Sequence, residues 1–498
     1  MIYQAKHLQQ NKTWDADICI IGTGAGGSAV ANELSKKNVK IIMIEAGEFF
    51  LPKDMNQREQ DMFPKLFYEG GARRTRDKSI RVIHGKGVGG STLHNINLCK
   101  KPPKELIDHW ELPNFTHEKF MKSVNQVWKD LKVSQIEEHY RNTANELFKT
   151  GIDKLGFSGG ALFHNRVGCY QSGFCELGCS FNAKMNALRV YIPKIVDAGG
   201  IILSETKALK LNYSNRLATH LTCEVFNNLG EKVSTQVIRA KKFISAAGAI
   251  QSPLLFERSG LPDPHSQIGK NLRLHPGVVA LGVFDQEVNC WQGIPQSYEC
   301  DEFLKFSKDP AVNRVWLITS SAHPIGASSI VPGFGEEHKQ MMKYYPHIVP
   351  VTPMVHDFSS GTVSSTFGGG VDINYTLNQS DRDQLSLGLK KASEILLAAG
   401  AKKVIIPTRT PIVLKNFKEI EKADLSILNW DLDMVAVHPM GSLSMGDKIN
   451  NSAIDTNLRF HHLDNLFVAD ASVYPTSLGI PPQISTYSIG HFLGQTLS

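Results

Sequence analysis

Two short apolar runs, separated by a glycine-rich turn and a helical stretch, open the regular part of the chain. Residues 17–21 predict a buried strand, residues 28–37 predict a helix, and residues 40–44 predict a second strand. A strand, a helix and a strand in this order form a β-α-β unit, whose two strands pair in parallel. The pattern therefore predicts an α/β protein built on a parallel sheet.

Apolar residues with the spacing of a helix or of a strand recur along the rest of the chain. Helical spacing of apolar residues predicts helices at 119–131, 137–148, 251–259, 381–399 and 486–496. Alternating or continuous apolar residues predict strands at 208–225, at 242–247 and as a pair within 362–375. These elements extend the fold well beyond the first unit and indicate more than one packed domain.

The turn after the first strand fits the dinucleotide motif G-x-G-x-x-G. Its residues are Gly22, Thr23, Gly24, Ala25, Gly26 and Gly27. The first glycine permits a tight turn, the second lets a pyrophosphate approach the backbone, and the third lets helix and strand pack closely. Glu45 ends the second strand, where an acidic side chain is expected to bind ribose hydroxyls. The motif predicts a dinucleotide site but does not separate FAD from NAD.

Composition limits the remaining possibilities. With 498 residues, of which 42% are apolar and 20% charged, the chain can bury two or three cores. The net charge of +6 is small and no dense basic block occurs, so a nucleic-acid partner is not expected. The start is polar and no apolar run reaches transmembrane length, so we expect a cytoplasmic protein. Contact with a membrane through a surface patch stays open as an alternative.

Four ordered blocks of residues resemble the glucose–methanol–choline (GMC) oxidoreductase family. They are residues 22–47; residues 84–91 with Asn95; residues 245–253 with 268–272 and 275–276; and residues 438–442 with 445–446, 468–472 and 474–475. The resemblance covers most of the chain. It implies a discontinuous Rossmann-like FAD-binding domain from residues 1–110, 165–280 and 430–498. It also implies a substrate or cap domain, an antiparallel sheet covered by helices, from residues 111–164 and 281–429.

The resemblance also implies which residues line FAD. They are Gly22, Gly24, Ala25, Gly26, Gly27, Glu45, Ala46, Gly89, Gly90, Ser91, His94, Asn95, Ala247, Asp470, Ala471 and Pro482. His94 stands at the spacing at which several family members tether FAD through a histidine. A covalent link through His94 is therefore one interpretation, and an imidazole packed near the flavin without a bond is the other.

The family chemistry is oxidation of an alcohol by hydride transfer to flavin N5, which needs a base for the hydroxyl proton. His438 lies in the motif that carries the family's active-site histidine, and the pKa of an imidazole suits a base near neutrality. The other interpretation is a buried structural histidine. The family usually places a second His or Asn in its final motif, where this chain has Pro481. Either another group replaces that polar group, for which Gln483 and Asn95 are candidates, or His438 works alone.

Three cysteines, Cys169, Cys175 and Cys179, form a cluster in the sequence. Their segment resembles long-chain alcohol oxidases and membrane-linked sugar dehydrogenases of the family, and some of these dehydrogenases hold an iron–sulfur cluster nearby. Thiolates suit such a cluster. The spacing departs from the cluster-bearing pattern and a fourth cysteine is lacking, so small buried side chains are the competing interpretation. The other five cysteines are scattered, which does not predict a disulfide framework.

The expected function is FAD-dependent oxidation of a small-molecule alcohol. Residues 291–303 and the stretch after Gly333 resemble chains that act on long-chain or bulky apolar alcohols, which favours such an alcohol or a sterol. One alternative is a sugar or polyol dehydrogenase that passes electrons to a quinone or cytochrome. Another is a catalytically weak flavin-binding homologue, which Pro481 favours. An NAD-linked dehydrogenase would explain only the first block, and no feature identifies the electron acceptor.

Overall fold

The strand Lys12–Ile21 lies at the centre of a mixed sheet in the computed structural model, which describes residues 1–426 and 432–497. It pairs in parallel with Ile41–Ile44 on one side and with Lys232–Ser245 on the other. The other strands of this sheet are Ile2–Tyr3, Ile201–Leu203, Thr206–Ser214, Leu217–Phe226 and Leu466–Val468. Between the first two parallel strands runs the helix Ala25–Leu34, so the predicted β-α-β unit is confirmed.

A second sheet of seven strands is antiparallel throughout. Its strands are Gly159–Ala161, Ala280–Val283, Tyr298–Cys300, Val315–Thr319, Ile348–Val355, Lys403–Ile406 and Ile412–Leu414. The helices Thr143–Leu155 and Gln379–Ala398 pack on this sheet and on each other. The predicted fold class, a Rossmann-like sheet plus an antiparallel sheet covered by helices, is confirmed.

Three smaller sheets also occur in the part of the chain that the structure describes. They consist of Ile80–Val82 with Met434–Ala436, of Thr362–Ser365 with Val371–Asn374, and of Leu98–Cys99 with Ser134–Gln135 and Phe163–His164. The pair predicted within 362–375 is therefore present. Its two strands are antiparallel, with Val363 opposite Ile373.

Each predicted helix is present within a few residues of its predicted bounds, except the one near residue 140. The described residues also form helices that were not predicted. The helices not yet named are Glu59–Leu66, Lys104–Asp108, His117–Asp130, Ala187–Val190, Ile192–Asp197, Gly248–Arg258, Pro324–Ser328, Glu336–Met342, Phe417–Lys422 and Gln483–Thr496. The helix predicted at 137–148 was misplaced, because a short 3-10 turn covers Glu138–Tyr140. The true helix, Thr143–Leu155, begins after Asn142, whose side chain accepts a hydrogen bond from the backbone N–H of Asn145 at 3.1 Å.

The segment 111–164 contributes to two different cores. The helix His117–Asp130 packs against Gln483–Thr496, beside the mixed sheet, whereas Thr143–Leu155 packs on the antiparallel sheet. The predicted boundary between residues 429 and 430 lies outside the described residues. The division into an FAD-binding and a substrate domain thus stays a prediction. Within residues 1–426 and 432–497, no helix combines the length and the apolar character needed to cross a membrane.

Candidate active site

A cavity of about 1550 Å³ extends from the glycine-rich turn after Lys12–Ile21 to one face of the antiparallel sheet. Pockets for one small molecule usually measure about 300–1,000 Å³. This cavity therefore has room for a cofactor together with a substrate.

Most residues predicted to line FAD lie on the wall of this cavity. They are Gly22, Gly24, Ala25, Gly26, Glu45, Ala46, Gly90, Ser91, His94, Asn95, Ala247, Asp470, Ala471 and Pro482. The two others, Gly27 and Gly89, lie behind the wall and hold the turn in place. A Cβ at Gly27 would stand 2.1 Å from the carbonyl oxygen of Gly22, and Gly89 donates its N–H to the hydroxyl of Thr23 at 3.0 Å.

The glycines of the turn allow three backbone segments to approach one another. A Cβ at Gly26 would stand 1.7 Å from the carbonyl oxygen of Ala469, and a Cβ at Gly90 would stand 2.8 Å from Cα of Gly24. Gly90 also has a φ of 56°, which favours glycine. The helix Ala25–Leu34 begins at this point, so its free N–H groups and positive dipole end lie at the cavity. The backbone at these glycines and at the start of the helix, here called the glycine cradle, fits a pyrophosphate.

Glu45 is buried where three loops meet. Its carboxylate accepts hydrogen bonds from the hydroxyl and N–H of Thr23 at 2.7 and 3.2 Å, from the N–H of Gly47 at 3.0 Å and from the N–H of Gly87 at 3.1 Å. Burial raises the pKa of Glu45, against the lowering effect of these donors. The carboxylate therefore holds the wall together, and its binding of ribose stays a prediction.

Asp470 connects the C-terminal part of the chain to the predicted cofactor segment 245–253. Its carboxylate accepts hydrogen bonds from the N–H of Gly248 at 2.9 Å, from the hydroxyl of Ser252 at 2.6 Å and from the N–H of Ser472 at 2.8 Å. Burial raises the pKa of this carboxyl group. Asp470 thus aligns two loops that both line the cavity.

His438, the predicted base, lies on the cavity wall with its ring against another imidazole. Its Nδ1 is 3.1 Å from Nδ1 of His275, which is fully buried. Burial, and then the adjacent His275, hold the pKa of His438 well below its ordinary value. The imidazole is therefore neutral near neutral pH, as a base must be before it takes a proton.

The position of His275 is set by a buried carboxylate. Asp357 accepts hydrogen bonds from the backbone N–H groups of Leu274 and His275, both at 3.1 Å, and from the hydroxyl of Tyr375 at 2.7 Å. The backbone of His275 has a φ of 54°, an unfavourable region for a residue with a side chain. Asp357 thus holds His275 in a strained conformation that directs its ring to His438.

The two amides considered as replacements for the missing polar group bind each other. Asn95 donates to the side-chain oxygen of Gln483 at 2.8 Å, and Gln483 donates to the backbone carbonyl oxygen of Leu98 at 2.6 Å. Pro481 lines the cavity beside them and offers no side-chain donor. The two amides are therefore tied to each other, and their replacement of the missing polar group stays a prediction.

His94 packs against an aromatic ring on the cavity wall, with the two ring planes tilted by 50°. Its ring centroid is 4.1 Å from that of Phe67, and burial lowers its pKa to about 3. Its Nε2 is buried without a hydrogen-bond partner in the described part of the chain. The Lys184 ammonium donates to the carbonyl oxygens of Leu93 and Asn95, at 3.0 and 2.5 Å, and so fixes the segment that carries His94.

The three clustered cysteines surround a separate void of about 20 Å³. All are free thiols, and burial raises the pKa of Cys175 to about 11, which disfavours the thiolate that a metal requires. Across residues 1–426 and 432–497, no group of three or more His, Cys, Asp or Glu side chains is arranged to hold a metal ion. The iron–sulfur interpretation of Cys169, Cys175 and Cys179 therefore has no support from the geometry.

One part of the cavity wall consists of apolar side chains on strands of the antiparallel sheet or directly before one, and it is here called the apolar arm. These side chains are Val279, Leu281, Trp316, Ile348 and Met354. A substrate that enters this arm would exchange water for hydrocarbon contacts, which favours apolar molecules.

Sequence reasoning assigned no role to His275 or to its neighbour His356. His275 stands in one of the matched blocks, directly before Pro276, so a signal for it was present. His356 has no motif around it. Only the folded chain shows that the ring of His275 contacts His438 and that His356 is close enough to lower the pKa of His275.

Comparisons with known proteins agree with this geometry. Two family models described as GMC oxidoreductase match residues 63–277 and residues 360–490. The long-chain-alcohol oxidase FAO3 of Arabidopsis thaliana is 29% identical over 97% of this chain and 68% of its own length. FAO4A of the same plant is 27% identical over 96% and 68%. The crystal structure of pyridoxine 4-oxidase from Mesorbium loti superposes with a TM-score of 0.73 at 17% identity, covering 96% of this chain and 98% of the other.

Proposed function

Because this chain belongs to the GMC oxidoreductase family of FAD flavoproteins, we propose that it oxidises an alcohol to a carbonyl compound with His438 as the base. When bound, FAD would accept the hydride that leaves the alcohol carbon. The observation that carries the proposal is the partly buried imidazole of His438, 3.1 Å from His275, on the wall of the cavity shared by the glycine cradle and the apolar arm.

The chain's own residues would hold the cofactor at the sequence-predicted positions. The backbone at Gly24 and Gly26, with the start of the helix Ala25–Leu34, would bind the pyrophosphate. Glu45 would reach the ribose, and Asp470 would orient the loops around the phosphates. His438 takes part in none of these contacts, so it is available to the alcohol. The hydroxyl proton of the alcohol would pass to Nε2 of His438, the ring nitrogen that does not contact His275.

The lowered pKa of His438 predicts that the reaction persists at a lower pH than an ordinary histidine base would allow. An ordinary histidine protonates as the pH falls past about 6.5, which would inactivate a base. Because burial holds the pKa of His438 well below that value, the neutral ring persists at lower pH. We expect the rate of anaerobic flavin reduction by substrate to stay level from about pH 8 to about pH 6. A loss of rate with a midpoint near 6.5 would contradict a base with a lowered pKa.

We propose a long-chain or bulky apolar alcohol as the substrate, on the strength of the apolar arm and of the names of the alcohol oxidases related to this chain. Each methylene buried in such an arm contributes about 0.8 kcal/mol, which corresponds to about a fourfold gain in kcat/KM. For a series of primary alcohols, we therefore expect kcat/KM to rise about fourfold per carbon until the arm is filled.

The chain-length series also separates the competing substrates. Sugars and polyols of similar size, tested by the same anaerobic bleaching of the flavin, are expected to react poorly because their hydroxyls would lose water without gaining partners. A flat response to chain length, with good activity on sugars, would instead favour a sugar or polyol dehydrogenase. Oxygen, quinone and cytochrome acceptors can then be compared with the best alcohol.

The proposal extends to a covalent attachment of FAD through His94. Its Nε2 makes no hydrogen bond within the described residues, so an attachment there would sacrifice none. The lowered pKa keeps the imidazole neutral, which a nucleophile requires. Yellow colour that stays with acid-precipitated protein, and leaves it in a His94→Ala variant, would establish the link. Colour in the supernatant would exclude it.

A further inference from the structure

His356 is close enough to lower the pKa of His275, and His275 contacts His438, so His275 is the middle one of three imidazoles. The tautomer of His356 is fixed. Nε2 of His356 is 3.0 Å from the backbone carbonyl oxygen of Ser477. A carbonyl oxygen only accepts, so His356 must carry a proton on Nε2. Burial lowers its pKa to about 4, which keeps the ring neutral. Nδ1 of His356 therefore presents a lone pair, and this buried atom has no partner in the part of the chain that the structure describes.

The middle imidazole, His275, has two possible tautomers. Burial, and then His356, lower its pKa to about 3, so the ring is neutral. Its Nδ1 faces Nδ1 of His438 at 3.1 Å, and only one of these two atoms can carry a proton in a hydrogen bond. If His275 donates, His438 carries its own proton on Nε2 and cannot act as a base there. If His438 donates, its Nε2 is unprotonated.

The role of His438 as the base decides between the two tautomers, because a base needs an unprotonated nitrogen. Nδ1 of His438 is engaged by Nδ1 of His275 at 3.1 Å, so the nitrogen left for the substrate is Nε2. A basic His438 therefore carries its proton on Nδ1 and donates it to Nδ1 of His275. His275 then carries its own proton on Nε2.

We propose that His275 is a positioning residue whose Nδ1 accepts the proton on Nδ1 of His438 and so leaves Nε2 of His438 as the unprotonated atom. The proposal rests on the proposed function, in which His438 is the base. In the reaction, the O–H bond of the alcohol breaks and its proton forms a new N–H bond at Nε2 of His438. The proton on Nδ1 stays in place and keeps its hydrogen bond to His275, as in other histidine bases oriented by a neighbour.

The proton positions can be read directly by NMR. FAD-loaded protein labelled with 15N on its histidines gives two-bond 15N–1H correlations that distinguish the tautomers of neutral imidazoles. The signals of His438 are assigned by their loss in a His438→Ala variant. We expect a protonated Nδ1 and an unprotonated Nε2 on His438. The reverse assignment would overturn the proposal.

A pair of variants at the middle position tests the same point by kinetics. Asparagine at 275 retains an oxygen that can accept from Nδ1 of His438, whereas leucine has a similar volume and no acceptor. We expect anaerobic flavin reduction to slow about 10–100-fold in His275→Leu and to recover to within about threefold of the wild type in His275→Asn. Equal rates in the two variants would contradict a tautomer-setting role. The wild-type NMR result stands as the test even if His275→Leu does not fold.

The outcomes also separate this proposal from the proposed function. If His438→Ala reduces the flavin normally, His438 is not the base and the proposed function fails, whatever its tautomer. If His438→Ala is slow and the wild-type ring carries its proton on Nε2, only the tautomer proposal fails.

Discussion

Replacing His438 by alanine is expected to slow the anaerobic reduction of bound flavin by alcohol at least about 100-fold, because a general base contributes a factor of about 10²–10⁴. The cofactor is expected to stay bound. The glycine cradle, Glu45 and Asp470 are held by hydrogen bonds that do not involve His438, whose imidazole contacts His275 instead. Stopped-flow absorbance of FAD-loaded protein under argon measures the effect.

The matched control removes a buried imidazole elsewhere. Nδ1 of His491 lies 2.9 Å from the hydroxyl of Ser123, and His491 is as buried as a core residue but does not line the cavity. His491→Ala is therefore expected to lower the melting temperature while leaving the rate of flavin reduction near that of the wild type. If His438→Ala reduces the flavin at the wild-type rate, the chain either uses another base or has lost the need for one.

Local patterns along the chain predicted the parts of the site that depend on neighbours in sequence. The β-α-β unit and its glycines follow from strand and helix periods and from the backbone approach that glycine permits. Even there, the strand Lys12–Ile21 begins earlier than the apolar run suggests. Its first residues pair with Gln236–Arg239 of a strand more than two hundred positions away. Pairing with a distant strand leaves no trace in the local pattern.

The contact between His275 and His438 was not predictable for the same reason. The two residues are 163 positions apart, and their rings meet only because Asp357, from a third segment, fixes the backbone at His275. Motif position identified His438 through the residues around it. It could not show that the departure at Pro481 is accompanied by a tied pair of amides, Asn95 and Gln483, since that pair also joins distant segments.

Replacing Gly90 by alanine is expected to weaken FAD binding at least about tenfold, which corresponds to about 1.4 kcal/mol. The new Cβ would stand 2.8 Å from Cα of Gly24, so two loops on the cavity wall would have to separate. A clash between two backbone segments cannot be relieved by turning a side chain, and the pyrophosphate is predicted to bind at this junction. Titration of FAD-free protein, followed by quenching of FAD fluorescence, measures the dissociation constant.

Part of the cost in Gly90→Ala is backbone strain alone, because the φ of 56° disfavours any residue with a side chain. Gly260→Ala isolates that part. Gly260 has a φ of 63°, and a Cβ there meets no atom within 4 Å. Both variants are expected to lose about 1–2 kcal/mol of stability from strain, but only Gly90→Ala is expected to lose affinity for FAD. Wild-type affinity in Gly90→Ala would show that FAD does not bind where these two loops meet, and the cradle would then have to be sought elsewhere on the cavity wall.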